Sequence, residues 1–296
     1  MSEWQPDRLL PGFESLELAQ PPDYDGPVTA TLVRAPAGDA PRAVLYVHGF
    51  IDYFFQRHMA ERFAAEGYAF YAIDLRKHGR SLLPQQHPCY CADVAEYFAD
   101  IDRALEVIGR PVLLAGHSTG GLVCSLYAKE GRRKDQVESL WLNSPFFDWR
   151  VTGSQRLQLQ LARFLGGFSP FLNNPKAVLP QYVKSLHKQW DGEWNFDLTL
   201  KPLLGFPAYF GWVRAIFAAQ AKVRAGLGLD IPILSMHSDE ADIVLDWRHI
   251  ARWSRTLGSR VSVLAFPGAF HDLVLSRREI REEVFAHLFA WLRRTN

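Results

Sequence analysis

The most informative segment of this chain is Gly116-His117-Ser118-Thr119-Gly120. It follows an apolar run at 112–115, which is typical of a buried strand, and it precedes a segment at 121–129 with helical character. Because the chain must turn sharply between strand and helix, the serine at the tip adopts a strained conformation, and flanking glycines permit the close approach. The pattern therefore predicts a nucleophilic serine, Ser118, above one edge of a sheet.

Short apolar runs alternate with helical periods on both sides of this turn. Predicted strands occupy 43–47, 68–73, 112–115, 139–142, 233–236 and 261–266. Predicted helices occupy 54–66, 93–108, 121–129, 212–225, 247–257 and 277–293. Such alternation predicts an α/β fold with a mostly parallel sheet and helices on both faces. Rough alternation at 13–18 and 28–34 predicts an antiparallel hairpin at the sheet edge.

The strand–helix alternation is interrupted at 151–206, which contains several prolines and scattered apolar residues. We interpret 151–206 as an inserted, mostly helical cap on a core domain formed by 1–150 and 207–296. Phe146 and Trp149, at the end of the strand before this insert, are predicted to contact substrate. Aromatic residues in and after the insert form either an apolar funnel for substrate or, for most of them, the packing of the cap: Trp190, Trp194, Phe196, Phe206, Tyr209, Phe210, Trp212 and Phe217.

The composition excludes several classes of protein. The 296 residues include 33 Lys and Arg against 32 Asp and Glu, and a net charge of +1 lacks the cationic excess that nucleic-acid binding requires. A hydrophobic fraction of 48% excludes a disordered chain. No apolar stretch reaches the roughly 18 residues of a membrane span, and 1–7 shows no signal-peptide pattern, so we expect a cytoplasmic protein without an integral membrane segment. Three cysteines without CxxC spacing are expected to be reduced thiols: Cys89, Cys91 and Cys124.

A serine hydroxyl is a weak nucleophile and needs a base beside it. His271 follows the last predicted strand, and loops at the carboxyl ends of parallel strands gather at one sheet edge, so this histidine can reach Ser118. The base needs an acid that orients it. Asp242 is favoured because the apolar pair at 243–244 can anchor its loop, and Asp239 is the alternative.

Acyl transfer also requires donors for the developing oxyanion. The backbone N–H of Thr119, directly after the serine, is one candidate donor. The backbone N–H of Phe50, in the turn His48-Gly49-Phe50 after an early strand, is the second. No cluster with metal-ligand spacing occurs, so neither a metal nor an organic cofactor is expected.

Together these residues resemble the α/β-hydrolase superfamily. Within it they are similar to the monoacylglycerol lipase and lysophospholipase group, also called serine aminopeptidase S33-like hydrolases. The resemblance rests on five segments: the turn at 48–50, the block at 67–81 that begins with Gly-Tyr and ends with Gly-Arg-Ser, the serine elbow at 116–121, the loop of the candidate acid at 242–244 and the loop of the candidate base at 271–272. It extends from about residue 40 to the C-terminus, with the insert matching only in position.

Three positions depart from the pattern of this group. Lys77 stands where glycine is usual, which affects the shape or charge of that loop. Thr119 replaces the common methionine but keeps the backbone donor. The acid loop between His237 and Asp242 is one residue longer than usual, which is why Asp239 stays open as the acid.

The resemblance implies hydrolysis of a carboxylic ester through an acyl-enzyme, with acylglycerols, lysophospholipids or similar apolar acyl esters as substrates. Alternatives on the same residues are a thioesterase, a carbon–carbon bond hydrolase or an aminopeptidase, whose substrate ammonium could be held by Asp191, Glu193 or Asp197. A non-catalytic hydrolase-like binding protein is a further alternative. The physiological substrate and the oligomeric state are left open by the sequence.

Overall fold

A computed structural model describes residues 3–35, 40–175 and 179–295. These residues form eleven strands: β1 (Gln5–Pro6), β2 (Glu14–Asp23), β3 (Gly26–Arg34), β4 (Arg42–Val47), β5 (Tyr68–Asp74), β6 (Val112–His117), β7 (Val137–Asn143), β8 (Asn173–Asn174), β9 (Ala208–Tyr209), β10 (Ile233–His237) and β11 (Val261–Ala265). They also form eight α-helices: α1 (Arg57–Ala65), α2 (Glu96–Ile108), α3 (Thr119–Glu130), α4 (Gly153–Leu165), α5 (Pro180–Leu186), α6 (Phe210–Ala225), α7 (Trp247–Ser254) and α8 (Arg278–Thr295).

Nine of the strands form one sheet in the order β1-β2-β3-β5-β4-β6-β7-β10-β11. All pairs from β5 to β11 in this order are parallel, whereas β1, β2 and β3 are antiparallel to their neighbours. The predicted parallel sheet and its antiparallel edge hairpin are therefore confirmed. Register aligns the ends of three central strands, since Asn143 of β7 pairs with His117 of β6 and with Met236 of β10.

Alternating residues of the central strands pack in two separate hydrophobic layers, one on each face of the sheet. Leu45 and Val47 of β4 pack in the layer under α2, α3 and α6, and Val44 and Tyr46 pack in the layer under α1 and α8. A strand buried on both faces has this continuous apolar composition, which is how the apolar run at 43–47 predicts it. Helices therefore cover both faces of the sheet, as the alternation predicts.

The predicted core strands and helices are found with ends shifted by a few residues. One shift bears on the site: α3 begins at Thr119, so Ser118 lies directly before its first turn. The insert differs more, because the expected mostly helical character is wrong. In its described part, only α4 and α5 are α-helices, and the connecting chain is largely irregular. The residues at 176–178 lie outside the described part of this insert.

The irregular part of the insert is ordered by contacts with the core rather than by helical hydrogen bonds. The Trp194 indole nitrogen donates to the Leu275 carbonyl at 2.7 Å. Phe196 packs its ring against Phe55 with centroids 5.1 Å apart. Such contacts join residues distant in sequence, so periodicity could not predict them.

Two smaller observations concern cysteines and membranes. Cys89, Cys91 and Cys124 are buried free thiols, as expected from their spacing. Within the described ranges, no helix combines the length and the apolar character needed to cross a bilayer.

Candidate active site

The turn between β6 and α3 has the strained geometry that the sequence predicts. Ser118 has φ 52° and ψ −116°, in the left-handed region that side chains rarely adopt. A Cβ on Gly120 would lie 2.3 Å from the carbonyl oxygen of Val47, and one on Gly116 would lie 2.5 Å from the carbonyl oxygen of Gly120. Only glycine fits these two positions, and the turn consequently presents the Ser118 hydroxyl at the sheet edge.

The structure brings the three side chains predicted for catalysis into one hydrogen-bonded line. The Nε2 atom of His271 lies 3.0 Å from the Ser118 hydroxyl oxygen. The Nδ1 atom of the same ring lies 2.8 Å from Oδ2 of Asp242. His271 and Asp242 are buried, and Ser118 is half-buried. This arrangement can transfer a proton from the hydroxyl to the ring while a carboxylate orients the ring.

Asp242 is held in place by its own loop. Its Oδ1 atom accepts backbone N–H donors of Val244 at 2.7 Å and Leu245 at 3.0 Å. Burial raises the pKa of Asp242, but the His271 ring and these two N–H donors outweigh burial and lower the pKa below its usual value. The carboxyl group is thereby kept ionised, the form that accepts from Nδ1–H.

The alternative acid, Asp239, is half-buried, and its carboxylate makes contacts other than with His271. Its Oδ1 accepts from the backbone N–H groups of Ala241 and Gly268, both at 3.0 Å. The reason given for preferring Asp242 is partly wrong, because Ile243 is 41% exposed and does not anchor the loop. Val244, the other member of the pair, packs against the core as expected, and Leu245, which is 5% exposed, adds a second anchor.

The loop that carries His271 is braced by a residue that sequence reasoning missed. Asn143 ends β7, and its side-chain amide donates to Oδ1 of Asp272 at 2.7 Å. The carbonyl oxygen of the same amide accepts from the Leu273 backbone at 3.1 Å. A polar residue at the end of a central strand, followed by a proline-containing turn at 144–146, was the available signal.

The turn at 48–50 lies against the elbow, as expected for an oxyanion loop. A Cβ on Gly49 would lie 3.2 Å from the Ser118 Cβ, so only a small residue allows this approach. The Phe50 ring stacks on Trp212 with centroids 3.9 Å apart, which holds this part of the turn. Thr119 is buried at the N-terminus of α3, where helix dipole and free N–H groups favour negative charge.

A cavity of about 840 Å³ opens above Ser118. Phe146 and Trp149, the residues predicted to contact substrate, both line this cavity. Of the aromatic residues in and after the insert, Phe210 and Trp212 line it as well. The rest of that set packs elsewhere in the described chain, away from the lining of this cavity.

Helix α4 has two apolar sides with different surroundings. Leu159 and Ala162 line the cavity. Leu157, Leu161 and Phe164 point away from it and are 73%, 56% and 64% exposed. Helix α4 therefore carries apolar side chains both at the cavity, where Gln155 and Gln158 also lie, and on its exposed side.

The acids proposed to hold a substrate ammonium are not at the cavity. Glu193 pairs with Arg281 at 2.6 Å on the surface. Asp197 accepts from the Thr199 hydroxyl and backbone. In the described chain, neither these two nor Asp191 lines the cavity.

Lys77, which departs from the family pattern, keeps the shape of its loop. Its φ is 62°, a conformation that explains why glycine is usual there. Its side chain is buried, and its ammonium pairs with Asp23 at 2.9 Å and with Asp25 at 2.7 Å in the edge hairpin. The extra charge is thus neutralised inside the fold.

A second cluster of polar groups lies beside the candidate site, and the sequence did not reveal it. Ligand-type atoms of Asp52, His117 and Asp272 lie within 4.8 Å of one another. Carboxylate and imidazole groups are metal ligands in general. Here Lys201 already supplies a cation, with its Nζ 2.8 Å from Oδ1 of Asp52. The cluster and Lys201 therefore form a network of buried charged and polar groups.

Comparison with known proteins gives a consistent result. Residues 38–278 match a family model described as serine aminopeptidase, S33. The chain is 24% identical over 251 residues to a monoacylglycerol lipase of Mycolicibacterium smegmatis, with 81% of this chain and 85% of that protein covered. It is 22% identical over 255 residues to phospholipase YtpA of Bacillus subtilis, with 83% and 93% covered.

A solved structure of a soluble variant of the Saccharomyces cerevisiae monoglyceride lipase, in complex with a substrate analogue, matches with a TM-score of 0.74. The identity is 20%, and the match covers 95% of this chain and 97% of that one. The predicted α/β-hydrolase fold is therefore confirmed. Since the family match spans most of the chain, the protein is a hydrolase that belongs to the serine aminopeptidase S33 family of α/β-hydrolases.

Proposed function

We propose that this hydrolase cleaves carboxylic esters through a Ser118–His271–Asp242 catalytic triad. The observation that carries the proposal is the hydrogen-bonded line of these side chains, 3.0 Å and 2.8 Å long at its two links, at the floor of an apolar cavity. A serine hydroxyl becomes a nucleophile only beside such an oriented base.

In the proposed reaction, Ser118 attacks the ester carbonyl and His271 takes the hydroxyl proton through Nε2. Asp242 stabilises the imidazolium through Nδ1–H, and the N–H groups of Phe50 and Thr119 hold the oxyanion. The imidazolium then protonates the leaving alcohol. Water attacks the acyl-enzyme with His271 as base again, and the free acid leaves.

The cavity supports an apolar acyl group as the substrate portion that is recognised. Aromatic side chains line it, with Trp149 stacked on Phe217 at 5.6 Å and in edge contact with Phe146 at 4.8 Å. Burial of an acyl chain there removes apolar surface from water, which favours binding by about 0.8 kcal/mol per methylene. The lipase and phospholipase names of the two relatives point to the same class, namely acylglycerols or lysophospholipids.

A thioesterase or a carbon–carbon bond hydrolase would use the same triad, and leaving-group tests separate them from an esterase. An aminopeptidase is disfavoured, because Asp191, Glu193 and Asp197 lie away from the cavity of the described chain. The division into a core of 1–150 and 207–296 with a cap at 151–206 is part of this proposal. The cytoplasmic location stays a prediction.

The test is ester hydrolysis by Ser118→Ala, with the exposed Ser169→Ala as matched control. We expect loss of kcat by roughly 10⁶-fold for the first variant, with unchanged thermal unfolding, and no change for the second. The substrates are p-nitrophenyl esters of short to long chains, with thioester and aminoacyl analogues beside them. Turnover by Ser118→Ala would refute the triad, and preference for thioester or aminoacyl leaving groups would refute the ester assignment.

A further inference from the structure

Lys201 belongs to the inserted segment, and its buried ammonium lies at the candidate active site. Its side chain is 5% exposed, and its Nζ lies 2.8 Å from Oδ1 of Asp52. The two residues are 149 positions apart in the chain. Both line the same cavity as Ser118 and His271.

Lys201 compensates two buried carboxylates of the core. Asp52 is 3% exposed, and Asp272 is fully buried. Oδ2 of Asp272 has no hydrogen-bond partner among the described residues, and Nε2 of His117 lies 4.0 Å from it. Burial keeps the pKa of Asp272 above its usual value, and the Lys201 charge is the largest of the influences that oppose this rise. Buried carboxylates are costly without a nearby cation, so removing Lys201 leaves two of them uncompensated.

These carboxylates stand on the two backbone segments that the proposed reaction needs. Asp272 directly follows His271. Asp52 follows Phe50 by two residues, and the intervening Ile51 has φ 52°, a strained value for a β-branched residue. Asp52 Oδ1 also accepts the Tyr53 backbone N–H at 3.0 Å. The ion pair with Lys201 therefore fixes the Asp52 carboxylate, and with it the strained turn at 50–52, which would relax if this carboxylate were free to move.

We propose that Lys201 is a positioning residue, whose ammonium compensates Asp52 and Asp272 and so holds the candidate oxyanion turn and the His271 loop in their reactive arrangement. This inference rests on the proposed function, because it assigns a role in the same reaction. It makes the insert more than a cover for the cavity, since the insert supplies a charge on which the core site depends.

The test compares Lys201→Met with Lys222→Met as matched control. Lys222 forms an exposed pair with Glu130 at 2.8 Å, far from the site. The first measurement is the rate at which a fluorophosphonate labels Ser118, which reports nucleophile and oxyanion geometry without knowledge of the natural substrate. The second is kcat and KM with a p-nitrophenyl ester.

We expect Lys201→Met to lower the labelling rate and kcat by about 10²-fold with KM within about threefold, because a small misplacement of reacting groups costs this much. Lys222→Met should behave as wild type. The double variant Asp52→Asn/Lys201→Met removes one uncompensated carboxylate. It should therefore label faster than Lys201→Met alone. If Lys201→Met does not fold, the double variant is compared with Asp52→Asn, which keeps the ammonium beside Asp272: the double variant should label more slowly, and an equal rate would overturn the proposal.

Wild-type labelling by folded Lys201→Met would overturn the proposal. A raised KM with unchanged kcat would overturn it too, since Lys201 would then bind substrate rather than position the site. A double variant slower than Lys201→Met would contradict charge compensation. Failure of the proposed function is distinct, because wild type itself would then not be labelled at Ser118, and both proposals would fall together.

Discussion

Replacement of Asp242 by asparagine should abolish most activity while leaving the fold nearly unchanged. The amide oxygen of Asn can still accept the N–H groups of Val244 and Leu245, now at 2.7 Å and 3.0 Å from Oδ1. The amide NH₂ would then face Nδ1 of His271, where Oδ2 now lies 2.8 Å away. Because NH₂ donates, Nδ1 must become the acceptor, and the ring proton moves to Nε2.

This tautomer places an N–H at 3.0 Å from the Ser118 oxygen, where a proton acceptor is required. The ring then cannot take the hydroxyl proton in the attack. Loss of the correct tautomer in a serine triad lowers kcat by about 10⁴-fold. At 1.36 kcal/mol per tenfold change, this corresponds to about 5.4 kcal/mol of transition-state stabilisation.

The assay is p-nitrophenyl ester hydrolysis near neutral pH, with thermal unfolding measured on the same samples. Asp239→Asn is the matched control, since the half-buried Asp239 carboxylate accepts, among the described residues, backbone N–H groups of its own loop and of a neighbouring loop. An amide oxygen can replace that acceptor, so we expect activity within about threefold of wild type.

Equal losses in the two variants would show that the acid loop matters only for stability. A larger loss in Asp239→Asn would identify Asp239 as the acid and refute the assignment of Asp242. An unstable Asp242→Asn would be recognised by a lower unfolding temperature, and its activity would then be measured well below that temperature.

The remaining predictions concern stability. Gly120→Ala should lower the free energy of unfolding by about 1–3 kcal/mol or more, because its Cβ would lie 2.3 Å from the Val47 carbonyl oxygen. Gly153→Ala is the control and should not lower it, since the space around Gly153 is open. Equal unfolding temperatures of the two variants would contradict this account. Asp7→Asn removes the charge from a buried bidentate pair with Arg80, both bonds 2.7 Å long, and should destabilise by about 1.5–3 kcal/mol at neutral pH, since Arg80 keeps its pair with Asp74 at 2.9 Å. Burial raises the pKa of Asp7, but Arg80 outweighs burial and lowers it. The advantage of wild type is therefore present above the unfolded value of about 3.9 and is lost as pH falls through the lower folded value; urea unfolding across pH checks this, and an undiminished advantage at low pH would exclude it.

Much of the fold could be predicted because its signals are local. The run at 112–115 is apolar because its strand lies in a sheet buried on both faces. The elbow has glycines at its ends because the turn has no room for Cβ atoms there. The insert gave no comparable signal. Its chain is held by contacts such as Trp194 with Leu275, which periodicity does not encode.

The candidate site shows the same division. Ser118 and His271 follow from their places after strands, because parallel strands bring their carboxyl ends to one edge. The choice of Asp242 over Asp239 was suggested by the apolar pair at 243–244, of which Val244 packs against the core while Ile243 is exposed and Leu245 is the second anchor. Which residue of an apolar run is buried depends on the packing of the loop, so sequence alone could not decide it.

The amino-acid sequence was enough to predict the α/β alternation, the serine elbow, the histidine loop and the family, because each depends on short-range sterics and on the order of strands. Three features became evident only in the folded molecule: which acid meets His271, which aromatic rings line the cavity, and the pairing of Lys201 with Asp52 across 149 residues. The physical reason is that a buried charge pair carries no local sequence pattern. The two groups pair because the folded chain buries both of them, and a buried charge is costly unless an opposite charge lies beside it.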